Sequence, residues 1–194
     1  MLMREMSLRM VVVVSAAAIA LAGCAKTPQI GPPVTPDALP IATLQEIMHF
    51  QVEPTAFFVW ESVETEITAQ GTQEKSPKSD AEWNEVRGRA VLLAEAANLL
   101  LVKNRLVAGH GKTLADADVK GISSPAEIQK SIDSQQDRFH AFALALRGAT
   151  QQAIAAIDAR NTTALVEAGG AIDTVCEDCH STFWYPNATP PPEK

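Results

Sequence analysis

Cys176, Cys179 and His180 are the residues of this 194-residue sequence whose types and spacing most clearly support chemistry. They form the run Cys176-Glu-Asp-Cys-His180, in which the two thiols lie about one helical turn apart. Both thiols can then add to the two vinyl groups along one edge of a haem and form thioethers, and His180 follows as the proximal iron ligand. The run therefore predicts one covalently bound haem c.

Two other chemistries use the same pair of thiols. A structural zinc ion needs four ligands from Cys, His or carboxylate groups, and the sequence has only one further cysteine, Cys24, far away along the chain. A thioredoxin-like dithiol lies at a strand-to-helix junction, and no strand pattern precedes Cys176. A zinc site and a redox dithiol are therefore the less favoured interpretations.

The sixth coordination position of such an iron decides between two functions. A methionine there gives a six-coordinate, low-spin iron with a raised reduction potential, whereas an open position leaves a five-coordinate iron that binds NO or CO. Met48 is the only methionine beyond the first ten residues, and it lies on the apolar stripe of the first predicted helix. We expect Met48 to be the distal ligand, with a gap-filling core role as the alternative. His49 is about 100° further around that helix, so both side chains cannot face the iron.

The N-terminal segment predicts export and a lipid anchor. Arg4 and Arg9 precede an apolar run over residues 11–22, which has the length of a signal-peptide core and is too short to span a bilayer. The run ends in Leu21-Ala-Gly-Cys24, which resembles the lipobox of bacterial lipoproteins, where the cysteine is acylated. Several acyl chains on Cys24 anchor a protein stably. The resemblance to Gram-negative lipoproteins implies the periplasmic face of the outer membrane, because residue 25 is Ala in place of Asp. An ordinary secretory signal is the alternative.

Proline content and charge describe the rest of the chain. The predicted organisation is a lipoprotein signal peptide at 1–23, a lipidated Cys and Pro-rich tether at 24–40, a folded domain at 41–185 and a Pro-rich tail at 186–194. The formal charge of −7 becomes −8 when the signal peptide, with two Arg and one Glu, is removed. Such a balance argues against nucleic acid and favours redox partner proteins with basic docking surfaces, although it also serves solubility alone. Arg87, Arg89 and Arg105 are cations available to haem propionates.

Helix start signals and apolar spacing predict the fold class. Three capping boxes are present, at Thr43–Glu46, Ser79–Glu82 and Ser124–Glu127, and Asn161 is an N-cap after a helix that ends near Ala159. Apolar residues at three- and four-residue spacing predict four helices, from Leu44 to Ile67, from Trp83 to a stop at Gly109, from Ile128 to Ile157 and from Leu165 to Phe183. Pro54 should kink the first helix without ending it. With no alternating strand pattern, the prediction is an all-α, antiparallel four-helix bundle.

A single haem attached near the end of the last helix of a four-helix bundle resembles the class II cytochromes c, the family of cytochrome c prime and its low-spin relatives. The resemblance covers residues 41–185 and rests on the Cys-x-x-Cys-His run and on Leu44-Gln-Glu-Ile-Met48, where low-spin members carry the distal methionine. It implies an electron carrier rather than an enzyme, with the five-coordinate NO- or CO-binding type as the alternative. Ala56-Phe-Phe-Val-Trp60 is apolar around most of the helix, which indicates packing under the bundle end or, alternatively, a homodimer interface.

Overall fold

The computed structural model describes residues 39–69 and 71–188, and it is mainly helical, as predicted for the all-α class. The predictions for the signal peptide, for Cys24 and for most of the tether and tail concern residues outside these ranges. The elements in chain order are α1 (Leu44–Ile47), a π-helical turn (Met48–Val52), α2 (Glu53–Glu61), β1 (Glu64–Thr68), β2 (Gly71–Lys75), α3 (Asp80–Leu100), α4 (Pro125–Ser134), α5 (Gln136–Asp158) and α6 (Thr162–Phe183).

The helix starts lie where the capping signals place them. In all three capping boxes the hydroxyl accepts the backbone N–H of the glutamate, and the carboxylate accepts the backbone N–H of the cap residue. These hydrogen bonds lower the pKa of Glu46 and Glu127. The pKa of Glu82 is lowered first by a hydrogen bond from the Lys78 backbone N–H and then by those of its capping box. At the fourth start, the Asn161 side chain accepts the Ala164 N–H at 3.0 Å, and the helix before it ends at Asp158. The four predicted starts are confirmed.

The first helical segment is shorter than predicted. It ends at Glu61 instead of continuing to Ile67, and the next residues form a two-stranded antiparallel hairpin of β1 and β2. The expectation that no strand is present was therefore wrong. The β-branched Thr and Ile residues of β1 favour extended backbone, and Gly71 begins β2 with a φ of +117° that few other residues adopt. Ile67 is 85% exposed and adds nothing to the core.

The second predicted helix also ends early. α3 stops at Leu100, nine residues before Gly109, and the chain then turns through Asn104, whose φ is +60°. The turn directs Arg105 inward, where its guanidinium donates hydrogen bonds to the carbonyls of Ala42 and Leu99. Burial lowers the pKa of Arg105. Local sequence patterns do not reveal these tertiary hydrogen bonds. The apolar spacing alone therefore predicted the wrong C-terminal end for α3.

The third predicted helix is two helices. The break lies at Gln135, with φ −134° and ψ 40°, between α4 and α5. The residues before it favour a break, because serine hydroxyls compete for backbone carbonyls: the Ser134 hydroxyl donates to the Ser131 carbonyl at 2.9 Å.

Helix packing brings distant parts of the chain together. α3 packs against α5, α5 packs against α6, and α2 contacts both α3 and α6. Arg87 of α3 pairs with Asp158 of α5 at 2.7 Å, and Arg160 pairs with Asp80 at the same end. The largest fully buried side chains of the shared core are Ile47, Val59, Leu93, Val107, Ile128, Thr150, Leu165 and Ile172. Within the described ranges, no helix has both the length and the apolar character needed to cross a membrane.

Candidate functional site

The Cys-x-x-Cys-His run lies in the last two turns of α6. The helix continues through the run to Phe183. Its residues Cys176, Cys179 and His180 all line one cavity of the protein. Both cysteines are free thiols and line the same cavity as His180. Helical geometry places residues three and four apart on one face, so the two thiols and the imidazole are presented together.

The cavity has a volume of about 580 Å³, which lies within the range of about 300–1,000 Å³ typical of cofactor sites. Its walls come from four parts of the fold. α4 and α5 contribute three buried apolar side chains, and the connection between α3 and α4 contributes Ala115 and Asp116. The remaining walls come from α1–α2 and α6; the buried apolar residues of the lining are Leu44, Val52, Ala56, Ile128, Ile132, Phe139 and Phe183.

Met48 also lines the cavity, at the first residue of the π-helical turn, and it is partly buried. The Glu53 N–H donates to the Met48 carbonyl, five residues back. The wide turn lies immediately before Pro54, which has no N–H to donate to a carbonyl of the preceding turn. The Thr55 hydroxyl also donates to the Val52 carbonyl at 3.0 Å. The structure thus brings Met48 into one cavity with Cys176, Cys179 and His180.

The other histidines differ from His180 in their surroundings. His49 lies at the rim of the cavity with a side chain that is 65% exposed, and its Nδ1 is 3.5 Å from a carboxylate oxygen of Glu53. His110 is exposed in the connection after α3. His140 lies on α5 beside Phe139 and does not line the cavity. Met48 is therefore the better-placed partner for an iron held by His180.

Burial keeps the two thiols and the imidazole of the site neutral. Burial raises the pKa of Cys176 to about 11, with a further contribution from Asp173, and it raises the pKa of Cys179 to about 12. Burial also lowers the pKa of His180, which leaves the imidazole neutral and its lone pair available, while Glu177 and Asp116 act in the opposite direction. Reactive redox thiols instead need stabilised anions.

Charged side chains in the lining are acidic. Glu53, Asp116, Asp173 and Glu177 line the cavity, and among the described residues no lysine or arginine does. The three arginines considered for haem propionates lie elsewhere: Arg87 pairs with Asp158, Arg89 stacks over Phe58 at 4.9 Å, and Arg105 is buried against Ala42 and Leu99. Over residues 39–69 and 71–188, no group of three or more His, Cys, Asp or Glu side chains is arranged to hold a metal ion.

A set of contacts that we call the C-terminal clamp closes one side of the cavity. It consists of Asp116, Gly121 and Ser123 from the connection before α4, and Trp184 and Ala188 from the end of α6. The Trp184 indole N–H donates to Asp116 at 3.0 Å, and the Ser123 N–H donates to the Trp184 carbonyl at 2.9 Å. A Cβ on Gly121, which has a φ of +100°, would lie 2.8 Å from Ala188 Cα. Sequence reasoning missed Asp116, because it lies in an irregular segment without periodicity.

Trp60 forms the wall between α2 and α6. Its indole N–H donates to the Gly169 carbonyl at 3.0 Å, and its ring stacks edge-on against Phe57 at 5.5 Å. A Cβ on Gly169 would lie 3.2 Å from the indole, so the glycine permits this close approach. Just after the end of α6, the Tyr185 hydroxyl donates a hydrogen bond to the Glu177 carboxylate at 2.6 Å. Tyr185 and Trp184 are thus part of the lining, one turn beyond His180.

These residues fit a haem in chemical type, because they combine apolar walls, two neutral thiols, a neutral imidazole and a thioether. Comparisons with protein-family models, with curated proteins and with solved structures found no match for this chain.

Proposed function

We propose that this protein is a monohaem c-type cytochrome of the class II type that transfers electrons in the periplasm. In this proposal Cys176 and Cys179 hold haem c through thioethers, His180 is the proximal ligand and Met48 is the distal ligand. The observation that carries the proposal is that these four side chains, from two helical segments far apart in sequence, line one largely apolar cavity.

The proposal includes an antiparallel four-helix bundle as the scaffold. Its support is the order of contacts, since α2 contacts α3, α3 contacts α5, α5 contacts α6 and α6 contacts α2. Four helical segments with such a ring of contacts enclose a shared interior, which is where bundles hold their cofactors.

A bound haem supplies a one-electron Fe(III)/Fe(II) couple. The residues of the chain determine whether the haem stays bound and which oxidation state is favoured. Covalent attachment through two thiols prevents loss of the cofactor, and a neutral imidazole and a thioether favour the ferrous state relative to water or an open position. The buried walls exclude water. A five-coordinate NO- or CO-binding protein is the alternative function, and it requires Met48 to leave the distal face.

The covalent attachment is tested by denaturing electrophoresis of protein made with a cytochrome c maturation system. The wild type should keep its haem, detected by peroxidase staining, and the Cys176→Ala/Cys179→Ala variant should lose it. Each single variant is the matched control, because it can still form one thioether. If the double variant stains as strongly as the wild type, the thioether assignment is wrong.

The proposed location follows from Cys24, as a lipid anchor that leaves the folded domain at the periplasmic face of the outer membrane. Wild-type protein should need detergent for extraction and should have a blocked N-terminus at Cys24, whereas Cys24→Ser should give a soluble or unprocessed haem protein. Wild type found freely soluble in periplasmic extracts, with cleavage elsewhere, would exclude the anchor.

The proposed partners are redox proteins with basic docking surfaces, and nucleic acid is not among them. The alternative is a homodimer formed through the first helix.

A further inference from the structure

The cavity reaches solvent between the first helical segment and α6. Most of its lining is buried or partly buried, and the exposed lining residues are His49, Glu53, Phe57, Ala115, Asp173 and Glu177. All of these except Ala115 lie on the two facing segments. Phe57 is 50% exposed, and Phe50, which is 68% exposed, packs edge-on against His49 at 4.7 Å. We call the exposed lining residues Glu53, Phe57, Asp173 and Glu177, together with Phe50, which lies beside the lining, the cavity rim.

The cavity rim combines exposed aromatic rings with carboxylates that have no lysine or arginine partner among the described residues. The Glu53 side chain is 57% exposed and lies near His49, and Glu177 accepts a hydrogen bond from the Tyr185 hydroxyl. No ion pair within residues 39–69 and 71–188 involves Asp173 or Glu177. The exposed acidic charge is therefore available to a partner.

We propose that the cavity rim is the docking surface for a redox protein with a basic surface, an inference that rests on the proposed electron-carrier function. An apolar centre with charged groups around it is the usual anatomy of a protein interface, and opposite charges steer association. A redox partner must approach where the cavity meets solvent, because helices and the C-terminal clamp cover its other walls.

A second copy of this chain is a poorer occupant of the same surface. In a two-fold dimer formed through this surface, each cavity rim would contact the cavity rim of the other copy or the residues around it. The carboxylates of one copy would then lie near those of the other. Like charges across an interface oppose binding. The charge therefore selects a basic partner over self-association.

The test uses haem-loaded protein and two kinds of probe. Fluorescently labelled poly-L-lysine reports binding through anisotropy, and a cationic and an anionic outer-sphere cobalt or iron oxidant report electron exchange by stopped flow. The rim variant is Glu53→Gln/Asp173→Asn. The matched control is Glu95→Gln/Glu167→Gln, which changes the net charge equally but alters residues that do not line the cavity.

We expect the rim variant to bind poly-L-lysine about fivefold more weakly than the control variant, because its two lost charges lie at the proposed docking surface and those of the control lie elsewhere. The ratio of the rate with the cationic oxidant to the rate with the anionic oxidant should fall in the rim variant and change little in the control. Equal behaviour of the two variants would overturn the docking site, as would a wild-type dimer in sedimentation that the rim variant abolishes. If the chain never acquires covalent haem, the proposed function is wrong. Poly-L-lysine binding by the haem-free protein would still test whether the cavity rim binds a basic partner.

Discussion

Substituting Pro54 by alanine tests what holds the π-helical turn in place. The proline lacks the N–H that an α-helix needs at this position, and the turn lies immediately before it. If the missing N–H alone causes the turn, alanine should allow regular α-helix, and every residue from Leu44 to Met48 should rotate by about 100° and shift by about 1.5 Å relative to α2. Met48 would then leave its place in the cavity lining.

Packing on the N-terminal side opposes that rotation. Leu44 is 4% exposed and Ile47 is fully buried, so rotating them outward costs about 1.5–3 kcal/mol each. The rotation also breaks two backbone hydrogen bonds, from the N–H groups of Leu44 and Gln45 to the carbonyls of Leu106 and Val107, which are worth about 0.5–1.5 kcal/mol each. One new helical hydrogen bond recovers only about 0.5–1.5 kcal/mol. We therefore expect the π-helical turn to persist in Pro54→Ala.

The overall stability should change little, because any hydrogen bond that the new alanine N–H forms is offset by the greater freedom of the unfolded chain, about 0.4–1 kcal/mol. The free energy of unfolding, measured by urea titration with circular dichroism, should stay within about 1 kcal/mol of the wild type. Under the proposed Met48 ligation, the haem-loaded ferric protein should keep a near-infrared Met-to-iron band. Ile47→Ala is the comparison, since deleting a buried isoleucine side chain should cost about 2–5 kcal/mol. Loss of the band in Pro54→Ala at unchanged stability would refute the argument that packing holds the turn.

Four further outcomes are expected. Under the proposed function, Met48→Ala should abolish the near-infrared band, lower the reduction potential and admit CO to the ferrous iron, because a thioether ligand would favour Fe(II) and block the distal face; a high-spin wild type that binds CO at once would favour the gas-binding alternative. Ser124→Ala should lower the free energy of unfolding by about 1 kcal/mol through loss of the cap, measured by urea titration. Glu127→Gln should destabilise the protein at neutral pH and lose that effect as the pH falls through the lowered pKa, below 4.5, since the stabilisation needs the carboxylate; an equal effect at low pH would contradict this. Trp184→Phe should remove the hydrogen bond to Asp116 and speed amide exchange at Ser123 without changing haem attachment, and unchanged exchange would show that the indole does not hold the clamp.

Local chemistry explains which parts of the fold could be predicted from sequence. A capping box joins residues three apart, so Ser79 and Glu82 carry the whole signal for the start of α3. The Cys-x-x-Cys-His run is equally local. Met48 was identifiable because the sequence beyond residue 10 holds no other methionine, and the structure places it in the cavity lining.

Tertiary contacts explain what could not be predicted. Leu101 and Val102 continue an apolar pattern after α3, but the buried Arg105 redirects the chain by binding carbonyls from two segments. The hairpin of β1 and β2 was missed because a short apolar stripe through Val63 and Ile67 fits a helix as readily as alternating β-branched residues fit a strand. Asp116 gains its role only through Trp184, which lies 68 residues later.

The C-terminal clamp has a consequence for the order in which the chain assembles. Under the proposed export, Asp116, Gly121 and Ser123 cross the membrane ahead of Cys176, and their contacts with Trp184 and Ala188 can form only when those later residues follow. One wall of the cavity therefore closes only after the whole attachment run has emerged. Under the proposed function, the thiols stay accessible to the attachment machinery during translocation, and closure of that wall marks the end of maturation.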